Sequence, residues 1–494
     1  MSTCISSGTF PRPRSFDYNI VVIGAGSGGL VASYIAAALK AKVALIERHK
    51  MGGDCLNTGC VPSKALIRSA KTVAISKKAL ELGFTSIDVK FDFASVMERV
   101  KRVIAAIEPH DSKERYEGLG VECIQGEGKI LSPYKVAVGG RILTTKNIII
   151  ATGARPMVPP ISGLETVGYL TSDTIWDLRV CPKRLLVVGG GPVGVEMAQA
   201  FQRLGASVTL LDRERKVLGR EDDDVSSLVA AKLALDGVTV LTSWQAVEFS
   251  ERDGHKLVRC TSPEGEKEIP FDEVLIALGR EPNIHGFGVE ELGIAITAAK
   301  RLACDPFMRT NYPNIFVCGD VTGDYQFTHV ASHEAWYASV NALFRPWWRF
   351  AADYRYVPMV TFTDPEVARV GLNESEAKAK GISFELSRYG IDDLDRAIAD
   401  SEAEGFVKVL TVPGKDKILG VTVVGSHAGE LLAEFVLAMK HGIGLNKILG
   451  TIHAYPTWPE ANKYAAGVWK KAHAPQRVLR FLQKFHRWNR QGFF

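Results

Sequence analysis

A glycine-rich turn between a strand and a helix occurs twice in this chain and constrains the fold more than any other feature. The first copy joins an apolar β-type run at 18–23 to Gly24-Ala25-Gly26-Ser27-Gly28-Gly29, then to a helical stretch at 30–40 and a strand at 42–46. The second places Gly189-Gly190-Gly191-Pro192-Val193-Gly194 between a strand at 185–188 and a helix at 195–204, with a strand at 208–211. An acid ends each copy, 23 positions after the first glycine, from 24 to 47 and from 189 to 212.

This repeated unit predicts an α/β fold with two Rossmann-like domains, each binding a dinucleotide. The glycines permit a tight turn and close approach of a pyrophosphate to a helix N-terminus, and the acid hydrogen-bonds a ribose. Two matches at equal spacing predict electron transfer between two dinucleotides. The predicted contacts are Gly24, Gly26, Gly29 and Glu47 in the first copy, and Gly189, Gly191, Gly194 and Asp212 in the second.

The identity of a nicotinamide on the second copy stays open at this point. Asp212 favours the free 2′-hydroxyl of NADH, because a carboxylate repels a 2′-phosphate. Arg213 and Arg215 follow directly, and their guanidinium groups suit the 2′-phosphate of NADPH instead.

Two cysteines, Cys55 and Cys60, follow the first copy in a glycine-flanked segment that leads into a helical run at 65–75. Pro62 suits the first turn of that helix, where its missing N–H costs nothing. A thiolate at a helix N-terminus is stabilised and its pKa falls, so the pair predicts a dithiol that opens and closes. The alternatives are a structural disulfide or half of a zinc site. The sequence offers no second cysteine pair at metal spacing, so we predict no metal site.

The Cys-x4-Cys segment followed by Val61-Pro62-Ser63-Lys64 resembles the redox-active motif of the class I pyridine nucleotide-disulfide oxidoreductases. This family includes dihydrolipoamide dehydrogenase, glutathione reductase and mercuric reductase, and the resemblance covers residues 17–472. It implies FAD on the first glycine turn and NAD(P)H on the second. It also implies that Cys60 lies against the flavin as a thiolate and that Cys55 is the exposed sulfur that exchanges with substrate.

Other positions match the cofactor contacts of that family. Family members have an Ala-Thr-Gly turn where the chain leaves the FAD domain, a Gly-Arg turn where it returns, and a Gly-Asp turn that binds the flavin ribityl chain. A Lys–Glu pair lies beside the flavin N5 atom. The cofactor-binding residues predicted in these regions are Lys64, Gly128, Thr152, Gly153, Glu196, Gly279, Arg280 and Asp320.

The last motif departs from the family pattern. The family has His-Pro-Thr-x-x-Glu, in which the histidine is the acid–base group and the glutamate orients it, whereas this chain has Tyr455-Pro456-Thr457 and Glu460. A phenol with a pKa near ~10 is a poor base at neutral pH. His453, two residues upstream, could substitute only if the loop is reshaped. Tyr455 and Glu460 join Cys55 and Cys60 as the predicted catalytic residues, and low turnover of ordinary disulfides is expected.

This departure keeps two other functions open. Mercuric reductases also lack the histidine and use a tyrosine to handle the metal ion, but the last cysteine here is Cys318, so their C-terminal cysteine pair is absent. The second alternative is a flavoprotein whose dithiol senses redox state without turnover.

Asp54 stands where relatives usually have a small hydroxyl residue, and its charge is expected to raise the pKa of Cys55.

Composition excludes several other classes. A net charge of +5 over 494 residues gives no argument for nucleic-acid binding, and no run of 18 apolar residues predicts a transmembrane helix. The eight cysteines are scattered apart from the pair at 55 and 60, which predicts a reducing, cytoplasmic compartment rather than a secreted disulfide framework.

The expected organisation has an FAD-binding domain in two parts, an NAD(P)-binding domain between them and a C-terminal α+β dimerisation domain. The predicted segments are 1–16 (tail), 17–157 (FAD, first part), 158–280 (NAD(P)), 281–355 (FAD, second part), 356–475 (dimerisation) and 476–494 (basic tail). The resemblance implies a homodimer with an active site shared across the interface. Residues 476–494 have an apolar stripe, several arginines and no acidic residue, which suggests peripheral contact with the inner face of the membrane or with a partner.

Overall fold

The computed structural model describes residues 10–323 and 325–491, so Cys4, most of the N-terminal tail and residues 492–494 of the basic tail lie outside it. The chain forms two compact units. Unit 1 comprises residues 1–73, 89–213 and 243–353, and unit 2 comprises residues 74–88, 214–242 and 354–494.

The first glycine turn belongs to a seven-stranded sheet in unit 1 that is buried on both faces. Its strands, in spatial order, are Val121–Gln125, Val43–Glu47, Tyr18–Ile23, Arg141–Ile150, Lys135–Val138 and Lys129–Ser132, and Ile315–Val317 pairs with Arg141–Ile150. Side chains alternate along Tyr18–Ile23, so that Ile20 and Val22 enter one core while Val21 and Ile23 enter the other. Burial on both faces explains why this strand is a continuous apolar run.

The second glycine turn belongs to a parallel sheet of the same type. Ser207–Asp212, Arg184–Val188 and Glu273–Ile276 lie side by side in that order. Unit 1 also holds an antiparallel sheet of Gln245–Arg252, His255–Ser262 and Gly265–Phe271, and a two-stranded ribbon of Ala154–Pro156 with Arg280–Pro282. Both predicted Rossmann-like units are therefore present, which confirms the α/β fold class.

The helices predicted at 30–40, 65–75 and 195–204 are present, and each begins three to five residues earlier than predicted. The helices of this part of the chain are Ser27–Ala38, Gly53–Asn57, Cys60–Ser76, Phe93–Ile107, Lys113–Gly118, Leu164–Val167, Pro192–Arg203, Val289–Leu292 and Thr328–Phe344. The amphipathic pattern over 92–117 predicts a single long helix, and the structure shows that this prediction is wrong. Pro109 lies in a 3₁₀ turn after Phe93–Ile107, and Ser112 then caps a new helix by accepting the Arg115 N–H at 3.2 Å.

Unit 2 is built on an antiparallel sheet with helices packed on one face. Its strands lie in the order Pro358–Thr361, Glu366–Gly371, Ile418–Gly425, Phe406–Thr411 and Glu385–Gly390, and unit 2 also holds the strand Thr239–Thr242. Its helices are Asp223–Asp236, Glu374–Ala379, Asp395–Ala399, Ala428–Lys440, Leu445–Gly450, Glu460–Ala472 and Gln476–Arg490. The core lies between the sheet and the helices Ala428–Lys440 and Glu460–Ala472, as expected for an α+β domain.

Two buried cations extend from this sheet to the segment at 220–224. The Lys408 ammonium, 1% exposed, donates to Asp222 at 2.9 Å and to Asp224 at 2.9 Å. Arg369, 2% exposed, pairs with Glu221 at 3.0 Å. Because isolated charges are costly to bury, these pairs tie residues 220–224 to the sheet.

The helix Gln476–Arg490 is exposed along its whole length. Within the described residues, no helix has the length and apolar character needed to span a membrane.

Candidate active site

The two glycine turns are built in the same way. A Cβ on Gly29 would collide with the carbonyl oxygen of Gly24, and a Cβ on Gly194 would collide with that of Gly189, so neither helix can approach its turn with a side chain there. This is the close packing that the third glycine of the fingerprint provides.

The acids at the ends of the two copies stabilise these turns. Glu47 accepts the Ala25 N–H at 2.7 Å, and Asp212 accepts the Gly190 N–H at 2.6 Å. At the N-caps, Gly26 and Gly191, no side chain caps the helix, so the first N–H groups of both helices are left for an anionic ligand. These uncapped N-termini fit the pyrophosphates of FAD and of a nicotinamide dinucleotide.

The two places where the chain passes between the glycine-turn sheets are held together by hydrogen bonds. The Thr152 hydroxyl donates to the Asn283 carbonyl at 2.8 Å, and the Asn283 amide donates to the Thr152 carbonyl at 2.9 Å. Gly153 and Gly279 both have positive φ, at 66° and 112°. Gly128 lies elsewhere, just before the strand Lys129–Ser132, where a Cβ would come within 3.3 Å of the Ile46 side chain.

The dithiol lies at the start of a helix, as predicted. Cys55 belongs to the short helix Gly53–Asn57, and Cys60 is the first residue of Cys60–Ser76. Both are free thiols joined by a hydrogen bond. That hydrogen bond from Cys55, together with Thr328 at 3.4 Å and the Lys64 charge, lowers the pKa of Cys60 to about 6, although burial opposes it. The same hydrogen bond to Cys60 and burial raise the pKa of Cys55. These opposite shifts favour a thiolate on Cys60 and a proton on Cys55.

The exposure of the two sulfurs differs from the expectation. Within the single chain Cys60 is exposed and Cys55 is only partly exposed, whereas Cys55 was expected to be the exposed sulfur. Electrostatics assign the thiolate to Cys60, as expected for the sulfur beside a flavin, but exposure does not mark Cys55 as the exchanging one.

Lys64 and Glu196 meet as the resemblance implied. The Lys64 ammonium is 3.0 Å from the Glu196 carboxylate, which is 6% exposed. Lys64 follows Cys60 by one helical turn, so its positive charge helps hold the thiolate.

Asp320 and Arg280 are also in contact, and a third residue joins them. The Arg280 Nε lies 3.5 Å from Asp320, and its Nη2 donates to the carboxylate of Asp54 and, at 2.9 Å, to the carbonyl of Ala154. Burial raises the pKa of Asp320 to about 6 although Arg280 opposes the shift. Sequence reasoning missed the Asp54–Arg280 contact and the role of Thr328, because neither follows from local spacing.

The C-terminal motif is arranged differently from the expectation for the family histidine. The Tyr455 hydroxyl donates to Asp395 at 2.9 Å, and this bond raises the pKa of Tyr455. Glu460 does not orient Tyr455. It accepts the Thr457 N–H at 3.1 Å and the Tyr464 hydroxyl at 3.2 Å. Asp395 could not be found from the sequence because it is 60 residues away.

His453 does not replace the missing base. Its side chain is 6% exposed, its Nε2 is 3.0 Å from Glu434, and its Nδ1 is 3.1 Å from the Thr451 carbonyl. Sequence reasoning overlooked a His-x3-His spacing at His329 and His333. Across residues 10–323 and 325–491, no group of three or more His, Cys, Asp or Glu side chains is arranged to hold a metal ion.

Two dinucleotide-type turns and a dithiol with one low-pKa sulfur define a pyridine-nucleotide-linked dithiol oxidoreductase. Residues 18–335 match the family described as pyridine nucleotide-disulphide oxidoreductase, and residues 357–466 match the dimerisation domain of the same family. The chain belongs to this family, and it is an FAD- and NAD(P)H-dependent oxidoreductase that acts on sulfur groups.

Relatives of more than one activity are similar to the chain. A mercuric reductase from Lysinibacillus sphaericus is 34% identical over 92% of this chain and 84% of its own length. A dihydrolipoyl dehydrogenase from Chlamydia pneumoniae is 35% identical over 90% of this chain and 95% of its own. The solved structure of the HOCl-induced flavoprotein disulfide reductase RclA from Escherichia coli covers 91% of this chain and 100% of its own, with a TM-score of 0.82 and 26% identity.

Proposed function

We propose that the chain passes electrons from NAD(P)H through FAD to the Cys55–Cys60 disulfide and on to a disulfide-type acceptor, or in reverse from a dithiol. The observation that carries the proposal is the placement of Cys60 at a helix N-terminus, 3.4 Å from the Thr328 hydroxyl and one turn before Lys64, a setting that favours a thiolate on Cys60. That is the reduced state a disulfide reductase must hold before it meets its acceptor.

Two electrons and one proton convert the disulfide into the Cys55 thiol and the Cys60 thiolate. FAD, when bound, would relay the two electrons of the NAD(P)H hydride, which also supplies that proton, and solvent supplies the second proton that the two thiols released from the acceptor need. Cys55 then loses its proton and attacks the acceptor disulfide, which forms a mixed disulfide and releases one thiol. The Cys60 thiolate attacks the Cys55 sulfur, restores the internal disulfide and releases the second thiol. The deprotonation of Cys55 needs a base, because its pKa is raised.

The residues proposed for cofactor binding fall into two groups, one for each cofactor. FAD is bound by the first glycine turn with Glu47, the Thr152–Gly153 turn, Gly128, Lys64, Glu196, Arg280 and Asp320. The nicotinamide dinucleotide is bound by the second glycine turn with Asp212 and Gly279. The proposed domain boundaries are 157, 280 and 355, so Glu196 and Arg280 would serve FAD from the NAD(P)-binding segment. In the proposed homodimer, residues 453–460 of one protomer complete the dithiol site of its partner, which is the role the matched dimerisation domain supports.

Reduction of a metal ion is the second candidate, and Tyr455 is the observation that favours it. An ordinary phenol is already neutral at pH 7, and the hydrogen bond to Asp395 raises the pKa of Tyr455 further, so Tyr455 is a poor base but a usable oxygen ligand. Metal-ion reduction is also supported by the relatives named mercuric reductase and by the solved Cu(II) complex of RclA.

The test is steady-state NAD(P)H oxidation by the FAD-loaded protein with lipoamide, glutathione disulfide, quinones and mercuric or copper ions supplied separately. Turnover that is lost in Cys55→Ser supports the proposal, and the acceptor with the highest kcat/KM separates the two candidates. Reduction of the flavin by NAD(P)H without turnover on any acceptor would instead indicate a redox sensor.

The C-terminal helix Gln476–Arg490 docks, in this proposal, on an anionic membrane surface. Its apolar side chains are all exposed, from 38% for Leu482 to 66% for Phe481, and its ionised side chains are all basic. A helix with aromatic and basic faces suits a bilayer interface with anionic lipid.

Co-sedimentation with vesicles of phosphatidylglycerol and phosphatidylcholine tests this docking. The full chain should bind at low salt, and a chain truncated after His473 should not. Lys484→Gln with Arg487→Gln should weaken binding only to the anionic vesicles, whereas Phe481→Ser should weaken it at all salt concentrations. Equal sedimentation of the full and truncated chains would contradict the idea, and a helix packed on its own dimer would give that result.

A further inference from the structure

Asp54 lies directly before Cys55, and the structure gives it a counter-ion. Its carboxylate forms an ion pair with Arg280, which is 226 positions away in sequence and 22% exposed. From sequence alone Asp54 was expected to be a bare negative charge beside the dithiol. The pairing changes what that charge does.

The position of Arg280 is fixed by the two-stranded ribbon in which it lies. Arg280 begins the strand Arg280–Pro282, which pairs with Ala154–Pro156, and its Nη2 also donates to the Ala154 carbonyl at 2.9 Å. The Arg155–Glu281 ion pair at 2.6 Å spans the same ribbon. A guanidinium held in this way offers a fixed anchor, because its donors point in set directions.

Arg280 therefore connects three parts of unit 1. Through Asp54 it reaches the turn that carries Cys55, through its own strand it belongs to the ribbon, and through Nε it faces Asp320 at 3.5 Å. Asp54 acts to raise the pKa of both thiols, and a positive charge in contact with it offsets that effect.

We propose that Asp54 is a positioning residue of the dithiol: its ion pair with Arg280 anchors the turn before Cys55 to the ribbon and balances the charge beside the two sulfurs. The inference rests on the proposed function, since it takes Cys60 as the thiolate of the reduced enzyme. Asp54 itself touches neither sulfur in this role and acts through the placement of the turn and through its field.

A double-mutant cycle on the reduced, FAD-loaded protein tests the pairing. The variants are Asp54→Asn, Arg280→Met and the two combined. Asp54→Asn leaves the guanidinium uncompensated, so the midpoint of the Cys60 thiolate titration should fall, by about 0.5–1 pH unit. Arg280→Met leaves the carboxylate uncompensated, so the midpoint should rise by a similar amount. The double variant should return close to the original midpoint, because both charges of the ion pair are then absent and their opposite effects on the thiolate cancel.

Two readouts follow the thiolate. One is the pH dependence of the long-wavelength absorbance of a thiolate beside the flavin, and the other is the pH dependence of iodoacetamide alkylation of Cys60, measured by peptide mass spectrometry. FAD content and Tm are recorded for every variant. If Arg280→Met does not fold, Asp54→Asn and Asp54→Glu decide, since the first must lower the midpoint and the second must keep it.

The outcomes separate this inference from the function on which it rests. If the unmodified protein shows no Cys60 thiolate near neutral pH, the proposed function fails. If the unmodified protein titrates as expected but the single variants share its midpoint, or both shift it in the same direction, or the double variant stays well away from the original midpoint, the pairing has no influence on the dithiol and the inference is overturned.

Discussion

Substituting Tyr455 with histidine should turn a slow dithiol exchanger into a faster one. Tyr455 is 68% exposed, and its hydroxyl donates to Asp395 at 2.9 Å. That hydrogen bond raises the pKa of Tyr455, so the phenol holds its proton throughout the neutral range. An imidazole at this position would find the same carboxylate ready to accept a ring N–H and orient the ring.

The size of the effect follows from the population of the basic form. At pH 7.5 a phenol with a pKa of about 10 is ~0.3% deprotonated, whereas an imidazole with a pKa of about 6.5 is ~90% neutral. The ratio is ~300, and it is larger for a phenol whose pKa is raised. General-base catalysis contributes roughly 10²–10⁴-fold. We therefore expect Tyr455→His to increase kcat/KM for dihydrolipoamide oxidation by roughly 10²–10³-fold.

The assay is NAD⁺ reduction by dihydrolipoamide between pH 6 and 9, with Tyr455→Phe as the matched control. The control keeps the ring, lacks any base and should show no gain. Asp395→Asn in the Tyr455→His background should remove part of the gain, because the imidazole loses its orienting carboxylate. The reasoning is refuted if the unmodified protein already oxidises dihydrolipoamide rapidly, or if Tyr455→His is no faster than Tyr455→Phe.

Four further expectations follow from the structure. The Cys60 thiolate should disappear as pH falls through about 6, and the midpoint of this titration should be higher in Lys64→Met, because that variant loses a stabilising positive charge. Absorbance and alkylation titrations measure the midpoint. A midpoint above 8 in the unmodified protein would contradict the prediction. Lys408→Met should lower the free energy of unfolding by about 3–5 kcal/mol in urea titrations, because it leaves the buried Asp222 carboxylate without its ammonium partner, whereas exposed Lys415→Met should change it by less than about 0.5 kcal/mol. Burial opposes ionisation of Asp222, but Lys408 and Ser375 lower its pKa to about 2, so the stability it contributes is present above about pH 4 and is lost as pH falls toward 2. The kcat/KM for NADH should exceed that for NADPH, because Asp212 at the end of the second glycine unit repels a 2′-phosphate. A strong preference for NADPH would instead indicate that Arg213 or Arg215 binds the 2′-phosphate.

The parts of the fold that the sequence predicts well are those fixed by local rules. The strand Tyr18–Ile23 has the predicted bounds, and both glycine turns fall where expected, because their steric demands involve residues close in sequence. The single helix predicted over 92–117 shows where local rules fail. Its apolar periodicity continues across Pro109, and only the missing N–H of that proline and the cap at Ser112 interrupt it.

The site was predictable as a set of residue types but not as a set of contacts. Family resemblance placed Lys64 near Glu196, which the structure bears out at 3.0 Å. It gave no indication that Asp395 accepts the Tyr455 hydroxyl or that Arg280 pairs with Asp54. Those contacts join residues 60 and 226 positions apart, and only the folded chain determines them.

The buried ion pairs of Lys408 and Arg369 also determine which fragments of this protein keep their charges balanced. A fragment beginning at residue 357 would match the dimerisation domain by sequence, yet it would lack Glu221, Asp222 and Asp224, which neutralise those two cations. Such a fragment would keep its sheet but carry a lysine and an arginine with part of their counter-charge removed. Expression of the C-terminal region alone therefore requires residues 214–242 to be supplied as well, because the folding unit is not contiguous in the gene.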